Sequence, residues 1–249
     1  MKKENKEKHG NSMQILGVNV TSDSEDRLLK RLVDFMAQPQ AKNKSLLVFT
    51  PNPEFLVAAS RDGQFRQTLN KADINLPDGA GLVFLSKFFG WGIKKRVSGA
   101  DLVASLLEIG NQKEWLVGVV GARRGENNES NLLIARLQKR YPNIKFINLD
   151  NYQTSRVNSS FDLVFACHGM GKQEEWILGS REEVKAKVFM GVGGALDFLT
   201  GFAKRAPFWM RNLGLEWFWR GIQRQGHFKR IWRAVFVFPW LAVKERLKG

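Results

Sequence analysis

The chain has 249 residues, of which 43% are apolar and 25% charged, and its formal net charge is +15. These values exclude wholesale disorder, and the excess of positive charge suggests an anionic partner. The single cysteine, Cys167, excludes an internal disulfide and a metal site built from several cysteines. Met1–Asn11 lacks the apolar segment of a signal peptide, and no apolar run reaches the roughly 20 residues that span a bilayer.

Apolar periodicity predicts strands alternating with helices along residues 13–200, after a disordered leader at residues 1–12. We expect strands at Met13–Val20, Ser45–Thr50, Ile74–Leu76, Trp115–Gly121, Ile144–Asn148, Phe161–Ala166 and Lys187–Met190. We expect helices at Ser24–Ala37, from Pro53 to Leu69 with a break near Asp62-Gly63, and at Gly79–Phe89, Asp101–Ile109, Ser130–Arg140, Lys172–Leu178 and Ala195–Leu199. This alternation predicts an α/β body with a Rossmann-like parallel sheet, in two tightly joined lobes.

The last 49 residues, 201–249, differ in composition and are predicted to form a basic, helical, amphipathic appendage. They hold eleven of the basic residues against two acids, and five of the eight tryptophans. Apolar residues recur there as on one face of a helix, namely Phe228, Ile231, Trp232, Val235 and Phe236. Such a helix either docks on the core or rests on an anionic membrane surface, and the tryptophans and the charge favour the membrane.

A nucleic-acid-binding module using the same basic, aromatic segment is the alternative from another class. The body between residues 13 and 200 carries only +4 of the +15, which argues against a nucleic-acid surface spread over the whole fold. We therefore predict no nucleic-acid partner.

Polar residues follow three of the predicted strands, at Thr50-Pro51-Asn52, Pro77-Asp78-Gly79 and His168–Glu174. Ligands of α/β sheets bind where strands end. The Asp78 carboxylate could take a proton from a hydroxyl, or it could cap the following helix. Gly169–Gly171 and Gly191–Gly194 could bring N–H groups near a phosphate, or they could be ordinary turns. The three histidines are scattered, so we predict no metal site and no cofactor.

Taken together, an ordered series of sequence blocks resembles the bacterial WecG/TagA/CpsF glycosyltransferases over about residues 14–235. The blocks are Leu16-Gly17-Val18, Thr50-Pro51-Asn52-Pro53-Glu54, Ala72-Asp73-Ile74-Asn75-Leu76-Pro77-Asp78-Gly79, Arg96-Val97-Ser98-Gly99-Ala100-Asp101-Leu102, Tyr141-Pro142, Gly169-x-x-Lys172-Gln173-Glu174-x-Trp176-Ile177, Gly191-Val192-Gly193-Gly194, Asp197-x-x-x-Gly201, Arg205-Ala206-Pro207-x-Trp209 and Gly214-Leu215-Glu216-Trp217-x-x-Arg220.

The resemblance implies an inverting, metal-independent transfer of a sugar from a UDP-sugar to a polyprenyl-diphosphate-linked acceptor sugar. The donor is typically N-acetylmannosamine or its uronic acid, and the transfer is a step in teichoic-acid or surface-polysaccharide assembly. A family member that uses another donor, such as UDP-glucose, is the alternative. By the same resemblance Asp78 is the general base, Thr50 and Asn52 hold the sugars, and Arg96 meets the diphosphate or the acceptor. Gln173 and Asp197 are expected to line the donor nucleotide pocket.

The resemblance also implies that the C-terminal appendage binds the cytoplasmic face of the membrane, closes the site and brings arginines to the lipid diphosphate. The protein would then be a peripheral membrane protein, one that could form a homo-oligomer when it is off the membrane. The arginines expected to do this are Arg205, Arg220, Arg224 and Arg230. Two positions depart from the family pattern: Gly171 stands where a proline is usual, and His227 where an arginine is usual.

Overall fold

The computed structural model describes residues 11–39, 44–125, 127–150, 160–207, 209–210, 219 and 232–247. A six-stranded parallel sheet runs through the part described. Its strands are β3 (Leu46–Phe49), β4 (Ile74–Asn75), β5 (Leu116–Val120), β6 (Lys145–Asn148), β7 (Phe161–Ala166) and β8 (Ala186–Gly191), in the order β4-β3-β8-β7-β5-β6. The prediction of an α/β fold with a Rossmann-like parallel sheet is confirmed.

The pairing of β3 with β8 joins the N-terminal and C-terminal parts of the body into this one sheet. Leu46 is in register with Val188, and Val48 with Met190. The Ser45 hydroxyl adds a hydrogen bond of 2.6 Å to the carbonyl oxygen of Ala186. Because β3 is flanked by β4 on its other side, the residues that follow both strands lie on the same edge as those that follow β8.

Helices cover both faces of the sheet. They are α1 (Glu25–Ala37), α2 (Pro53–Arg61), α3 (Gly63–Asn70), α4 (Ala80–Phe89), α5 (Gly99–Gln112), α6 (Asn127–Arg140), α7 (Lys172–Ser180), α8 (Ala195–Leu199) and α9 (Phe238–Arg246). Successive strand residues point to opposite faces. Val48 therefore packs in one apolar cluster, with α1, α5 and α6, while Leu47 packs in a second, with α2, α4 and α9.

The expectation of one strand over Met13–Val20 is wrong, because the chain reverses in the middle of this segment. Strands β1 (Ser12–Ile15) and β2 (Val18–Thr21) form an antiparallel hairpin. Leu16 and Gly17 occupy the turn with φ of 49° and 76°. Two successive residues with positive φ make the type of tight turn that matches the twist of a hairpin.

Helix α5 begins at Gly99, two residues before the predicted start at Asp101. Ser98 is its N-cap, and the Ser98 hydroxyl accepts a hydrogen bond of 3.4 Å from the amide of Asp101. The predicted break near Asp62-Gly63 is confirmed, since Asp62 caps α3 through the amides of Gln64 and Phe65. A side chain that accepts the first amide hydrogens of a helix fixes where that helix starts.

At the C-terminus, a π-helical segment at Arg233–Val237 leads directly into α9. Phe238 and Ala242 are buried against the body, and the Glu245 carboxylate accepts a hydrogen bond of 3.0 Å from the amide of Leu16. Of the predicted apolar stripe, Phe228 and Ile231 lie outside the described residues, while Trp232 and Phe236 are exposed. Trp232 and Phe236 are therefore not part of the face by which the helix docks on the body.

None of the described helices has the length and the apolar content that crossing a lipid bilayer requires.

Candidate active site

The carboxyl ends of β3 and β8 meet at one point of the sheet edge. The hydroxyl of Thr50, the residue after β3, donates a hydrogen bond of 2.9 Å to the carbonyl oxygen of Gly191, the last residue of β8. Thr50 is itself buried. This bond fixes the Thr50 side chain at the point where the chain segments that follow β3 and β8 separate.

Asp78 lies in the turn between β4 and α4, beside Thr50. Residue Gly79 has a φ of 132°, and a Cβ atom there would be 2.8 Å from Cδ of Pro53. Only glycine fits this turn without strain. A Cβ atom placed on Gly99 would be 3.1 Å from Cγ2 of Thr50 and 3.8 Å from Oδ2 of Asp78. The half-buried Asp78 carboxylate, Thr50 and the first turn of α5 therefore converge on one small region.

The sequence left open whether Asp78 caps the following helix, α4, and the structure identifies the residue at that N-cap. The N-cap residue of α4 is Gly79, and this cap has no side-chain hydrogen bond. Asp78 therefore does not occupy the N-cap position. Asn52, by contrast, is an N-cap: its Oδ1 accepts hydrogen bonds of 2.9 Å and 3.3 Å from the amides of Glu54 and Phe55. Any hydrogen bond from Asn52 to a sugar would come from its Nδ2 group.

Gln173 lies beneath the glycine turn that follows β8, with 1% of its surface exposed. Its Oε1 accepts a hydrogen bond of 2.9 Å from the amide of Gly193, and its Nε2 donates one of 2.6 Å to Oε1 of Glu174. Oε2 of Glu174 accepts a bond of 2.8 Å from the amide of Gly171. A Cβ atom on Gly191 would be 2.8 Å from Nε2 of Gln173. Gln173 and Glu174 thus hold together the turns that follow β7 and β8.

The Glu174 carboxyl is buried, and this burial raises its pKa, although its hydrogen bonds from Gln173 and Gly171 lower it. A buried carboxylate is stable only with such partners. Of this buried pair, the sequence predicted only Gln173 as a site residue, and Glu174 was given no role. The signal was present, because Glu174 belongs to the Lys172-Gln173-Glu174 block.

Asp197, in α8, stands beside the same glycine turn. A Cβ atom on Gly194 would be 3.5 Å from Oδ2 of Asp197. The same oxygen is 3.6 Å from a guanidinium nitrogen of Arg123, a residue that sequence reasoning missed. Arg123 also pairs with Glu129 at 2.8 Å and stacks on the ring of Phe202. Arg123 comes just after the end of β5, and this position at a strand end could have predicted it as a site residue.

Arg205 contacts the first turn of α5 rather than the open site. Its guanidinium is 2.6 Å from Oδ1 of Asp101 and donates a hydrogen bond of 3.3 Å to the hydroxyl of Ser98. Burial raises the pKa of Asp101, but the hydrogen bond and charge of Arg205 outweigh it and leave this pKa below its ordinary value. The half-buried Arg96 also lowers the pKa of Asp101 through its charge. Arg96 and Arg205 are thus two positive charges close to the Thr50 and Asp78 region.

With this geometry established, comparison with known proteins decides the family. The model of the glycosyl transferase WecG/TagA/CpsF family matches residues 13–249. The chain belongs to this family. Three relatives from Staphylococcus aureus strains MRSA252, NCTC 8325 and COL are each 30% identical over 247 residues, covering 95% of this chain and 94% of theirs. Each is named N-acetylglucosaminyldiphosphoundecaprenol N-acetyl-beta-D-mannosaminyltransferase. The protein is therefore a glycosyltransferase, as the sequence blocks predicted.

This WecG/TagA/CpsF family glycosyltransferase has a second polar cluster where β5 and β7 end. The amide of Gly121 donates a hydrogen bond of 2.7 Å to Oδ1 of Asp150. The ring of His168 packs on Gly121, so closely that a Cβ atom there would be 2.5 Å from it. Burial lowers the pKa of His168, the Asp150 charge raises it and Lys172 lowers it further, with a net decrease. His168 thus lies one strand beyond Gly191 in the sheet order, with β8 between its strand β7 and the strand β3 that leads to Thr50. Gln173, from the same segment after β7, reaches back to the turn after β8.

Three predicted site residues of the transferase, Arg220, Arg224 and Arg230, lie outside the described residues, as does His227. Within the part of the chain that the structure describes, no group of three or more His, Cys, Asp or Glu side chains is arranged to hold a metal ion. The structure thus brings together Thr50, Asp78, Arg96 and Arg205 around the start of α5, and Gln173 and Asp197 around the turn after β8.

Proposed function

We propose that this glycosyltransferase moves an N-acetylmannosamine residue from UDP to an N-acetylglucosaminyl group carried on a polyprenyl diphosphate. The relatives whose name specifies this transfer align over 95% of the chain. The observation that carries the proposal is the convergence of Asp78, Thr50 and the start of α5 at the sheet edge. It places a carboxylate beside groups suited to bind sugar hydroxyls.

In the proposed reaction, Asp78 is the general base. Its carboxylate takes the proton of the acceptor hydroxyl while that oxygen attacks the anomeric carbon of the donor sugar. The bond from this carbon to the UDP oxygen breaks on the opposite face, so the configuration at the carbon is inverted and UDP leaves with the electron pair. Thr50 and Asn52 are proposed to hold the sugars in position for this attack.

The leaving diphosphate gains negative charge, which arginine side chains stabilise by charge-assisted hydrogen bonds. We assign this role to Arg96 and to arginines of the C-terminal segment, namely Arg220, Arg224 and Arg230. Arg205, which pairs with Asp101, is proposed to anchor the start of that segment beside the site. Gln173 shapes the donor pocket by fixing the turn at Gly193, and Asp197 stands at the edge of the same turn.

An acceptor on a polyprenyl diphosphate is anchored in a membrane, so the enzyme must work at a lipid surface. The basic composition of residues 201–249 and the exposed aromatic rings of the C-terminal helix support a peripheral position on the cytoplasmic face.

The test is a set of separate reactions with UDP-N-acetylmannosamine, its uronic acid, UDP-N-acetylglucosamine and UDP-glucose. The acceptor is N-acetylglucosamine on a lipid diphosphate, and mass spectrometry detects the product. We expect transfer of N-acetylmannosamine, with inverted configuration at its anomeric carbon. Efficient transfer of glucose, and none of N-acetylmannosamine, would overturn the donor assignment but leave the reaction class intact.

A further inference from the structure

Helix α4 exposes two phenylalanine side chains on one face. Phe84 is 61% exposed and Phe88 is 70% exposed, and their ring centroids are 5.1 Å apart. A different face of the helix is buried through Leu82 and Leu85. Two adjacent, largely exposed aromatic rings on a helix that already packs on the body indicate a contact with something outside the chain.

The first turn of α4 lies against the C-terminal helix. A Cβ atom on Gly81 would be 3.9 Å from the carbonyl oxygen of Ala234 and 3.9 Å from Cδ1 of Phe238. Gly81, Phe84 and Phe88 are spaced i, i+3 and i+7, so they lie along the same face of α4. The two phenylalanines therefore extend away from the point where the two helices cross.

The C-terminal helix adds three more exposed rings at intervals of four residues. Trp232 and Phe236 stack with centroids 4.5 Å apart, and Trp240 is 68% exposed. We call the set formed by Phe84, Phe88, Trp232, Phe236 and Trp240 the aromatic patch. Its members lie on two helices that approach each other at Gly81.

Positive charge accompanies the aromatic patch. Lys87 and Lys94 line one surface pocket at the end of α4, and both are exposed. The other exposed cations of these two regions are Lys95, Arg233, Lys244 and Arg246. The one acid of the described C-terminal helix, Glu245, accepts a hydrogen bond from the body at Leu16. Aromatic rings surrounded by lysine and arginine are suited to the interface of an anionic bilayer.

We propose that α4 enters the interface of an anionic bilayer together with the C-terminal helix. The inference rests on the proposed function and deepens it, because α4 begins two residues after Asp78. At about 1.5 Å per helical residue, Phe84 lies about 6 Å along the helix axis from Ala80, the first residue of α4. Insertion of α4 thus fixes the distance between the proposed general base and the lipid surface that carries the acceptor. A second copy of the chain is a poorer occupant, since pairing two such faces would bring like charges together.

The test measures how the full-length protein partitions onto vesicles of phosphatidylglycerol and phosphatidylcholine by sedimentation. We expect the double variant Phe84→Ser/Phe88→Ser to bind the anionic vesicles at least about tenfold more weakly, because partial burial of a phenylalanine ring already corresponds to a change of that size. The matched control is Leu132→Ser, an exposed apolar residue on α6, which packs against the other face of the sheet. It should bind as the wild type does.

A second measurement separates this inference from the proposed function. Sugar transfer to a water-soluble acceptor with a shortened lipid should be the same in the double variant and the wild type. Unchanged vesicle binding, loss of transfer to the soluble acceptor, or a change in oligomeric state alone would each overturn the proposed surface. The opposite result is also possible: vesicle binding depends on the two phenylalanines, but the wild type transfers no sugar. That result would support the proposed surface and reject the proposed function.

Discussion

The carboxyl edge of the sheet and the C-terminal helix place their polar and apolar residues in opposite ways. At the sheet edge, Thr50, Gln173 and Glu174 are buried polar side chains with hydrogen-bond partners inside the fold. On the C-terminal helix, large apolar side chains such as Trp240 are exposed. Buried polar groups with fixed partners make a rigid site, whereas exposed rings are available to a surface outside the chain. The proposed catalytic site thus consists largely of buried polar groups, and the proposed membrane contact consists of exposed apolar ones.

The largest expected effect is at the sheet edge. Asp78→Asn should lower the rate of sugar transfer about 10²–10⁴-fold, because a carboxamide cannot take the proton of the acceptor hydroxyl. Binding of UDP, measured by calorimetry, should persist. Asp34→Asn is the control, since this exposed carboxylate of α1 pairs with Lys30 on the surface. An Asp78→Asn enzyme with wild-type rates would remove Asp78 from the role of general base.

Two phenylalanines of the C-terminal segment test the contrast directly. Phe238 is fully buried, so Phe238→Ala should lower the free energy of unfolding by about 3–5 kcal/mol through loss of packing and a cavity. Phe236, 57% exposed, should change it by no more than about 0.5 kcal/mol when replaced by Ala. Urea denaturation measures both. Equal losses at the two positions would mean that the C-terminal helix does not dock by the face described.

A smaller effect is expected when the hydrogen bonds under the glycine turn are removed. Gln173→Met keeps the side-chain volume but leaves the amide of Gly193 and the Glu174 carboxylate without this partner. The cost in unfolding free energy should be about 1–3 kcal/mol, and KM for the nucleotide sugar should rise. Gln64→Met, at an exposed position of α3, is the control. Loss of stability with an unchanged KM would show that Gln173 has no influence on the donor pocket.

The smallest effect concerns the ion pair at the start of α5. Because Arg205 holds the pKa of Asp101 below its ordinary value of 3.8, the folded state binds this proton less readily than the unfolded state does. The contribution of Asp101 is therefore present above pH 3.8 and is lost as the pH falls through the lower folded value. The wild type should be more stable than Asp101→Asn at neutral pH by no more than about 1 kcal/mol, as for exposed ion pairs.

Thermal unfolding of both proteins between pH 7 and pH 3 measures this difference. We expect the gap between wild type and Asp101→Asn to narrow on acidification. A gap that widens toward acid would contradict the pairing of Asp101 with Arg205.

The sequence predicted the buried elements well because each is a continuous apolar run between polar residues. The bounds of β7 and of α8 agree with the prediction at every residue. The hairpin at residues 12–21 was missed since apolar alternation is the same in one strand as in two short ones, and Gly17 was the only sign of a turn. The C-terminal helix was predicted, but its packing face was not. The π-helical segment Arg233–Val237 changes the period on which that prediction relied.

For the site, residues at strand ends could be named from the sequence, but their grouping could not. The order of strands in the sheet places Thr50 beside Gly191, and His168 after a strand that does not adjoin β3. Local sequence does not encode this order. The partners of Arg205 were missed for the same reason: Ser98 and Asp101 are about a hundred positions away in the chain. Contacts of this kind come from the folded sheet and not from any pattern within a segment.

The pairing of β3 with β8 has a consequence for how the protein is made. Thr50 and its partner Gly191 are separated by 141 positions. At a synthesis rate of about 5–20 residues per second, roughly 7–28 s pass between the appearance of these two residues. Throughout that interval one hydrogen-bonding edge of β3, a strand of four apolar residues, has no neighbour to pair with. The proposed site at the carboxyl ends of β3 and β8 is therefore completed late in synthesis. A ribosome pause between residues 50 and 191 would prolong the time during which the unpaired edge of β3 is exposed to aggregation.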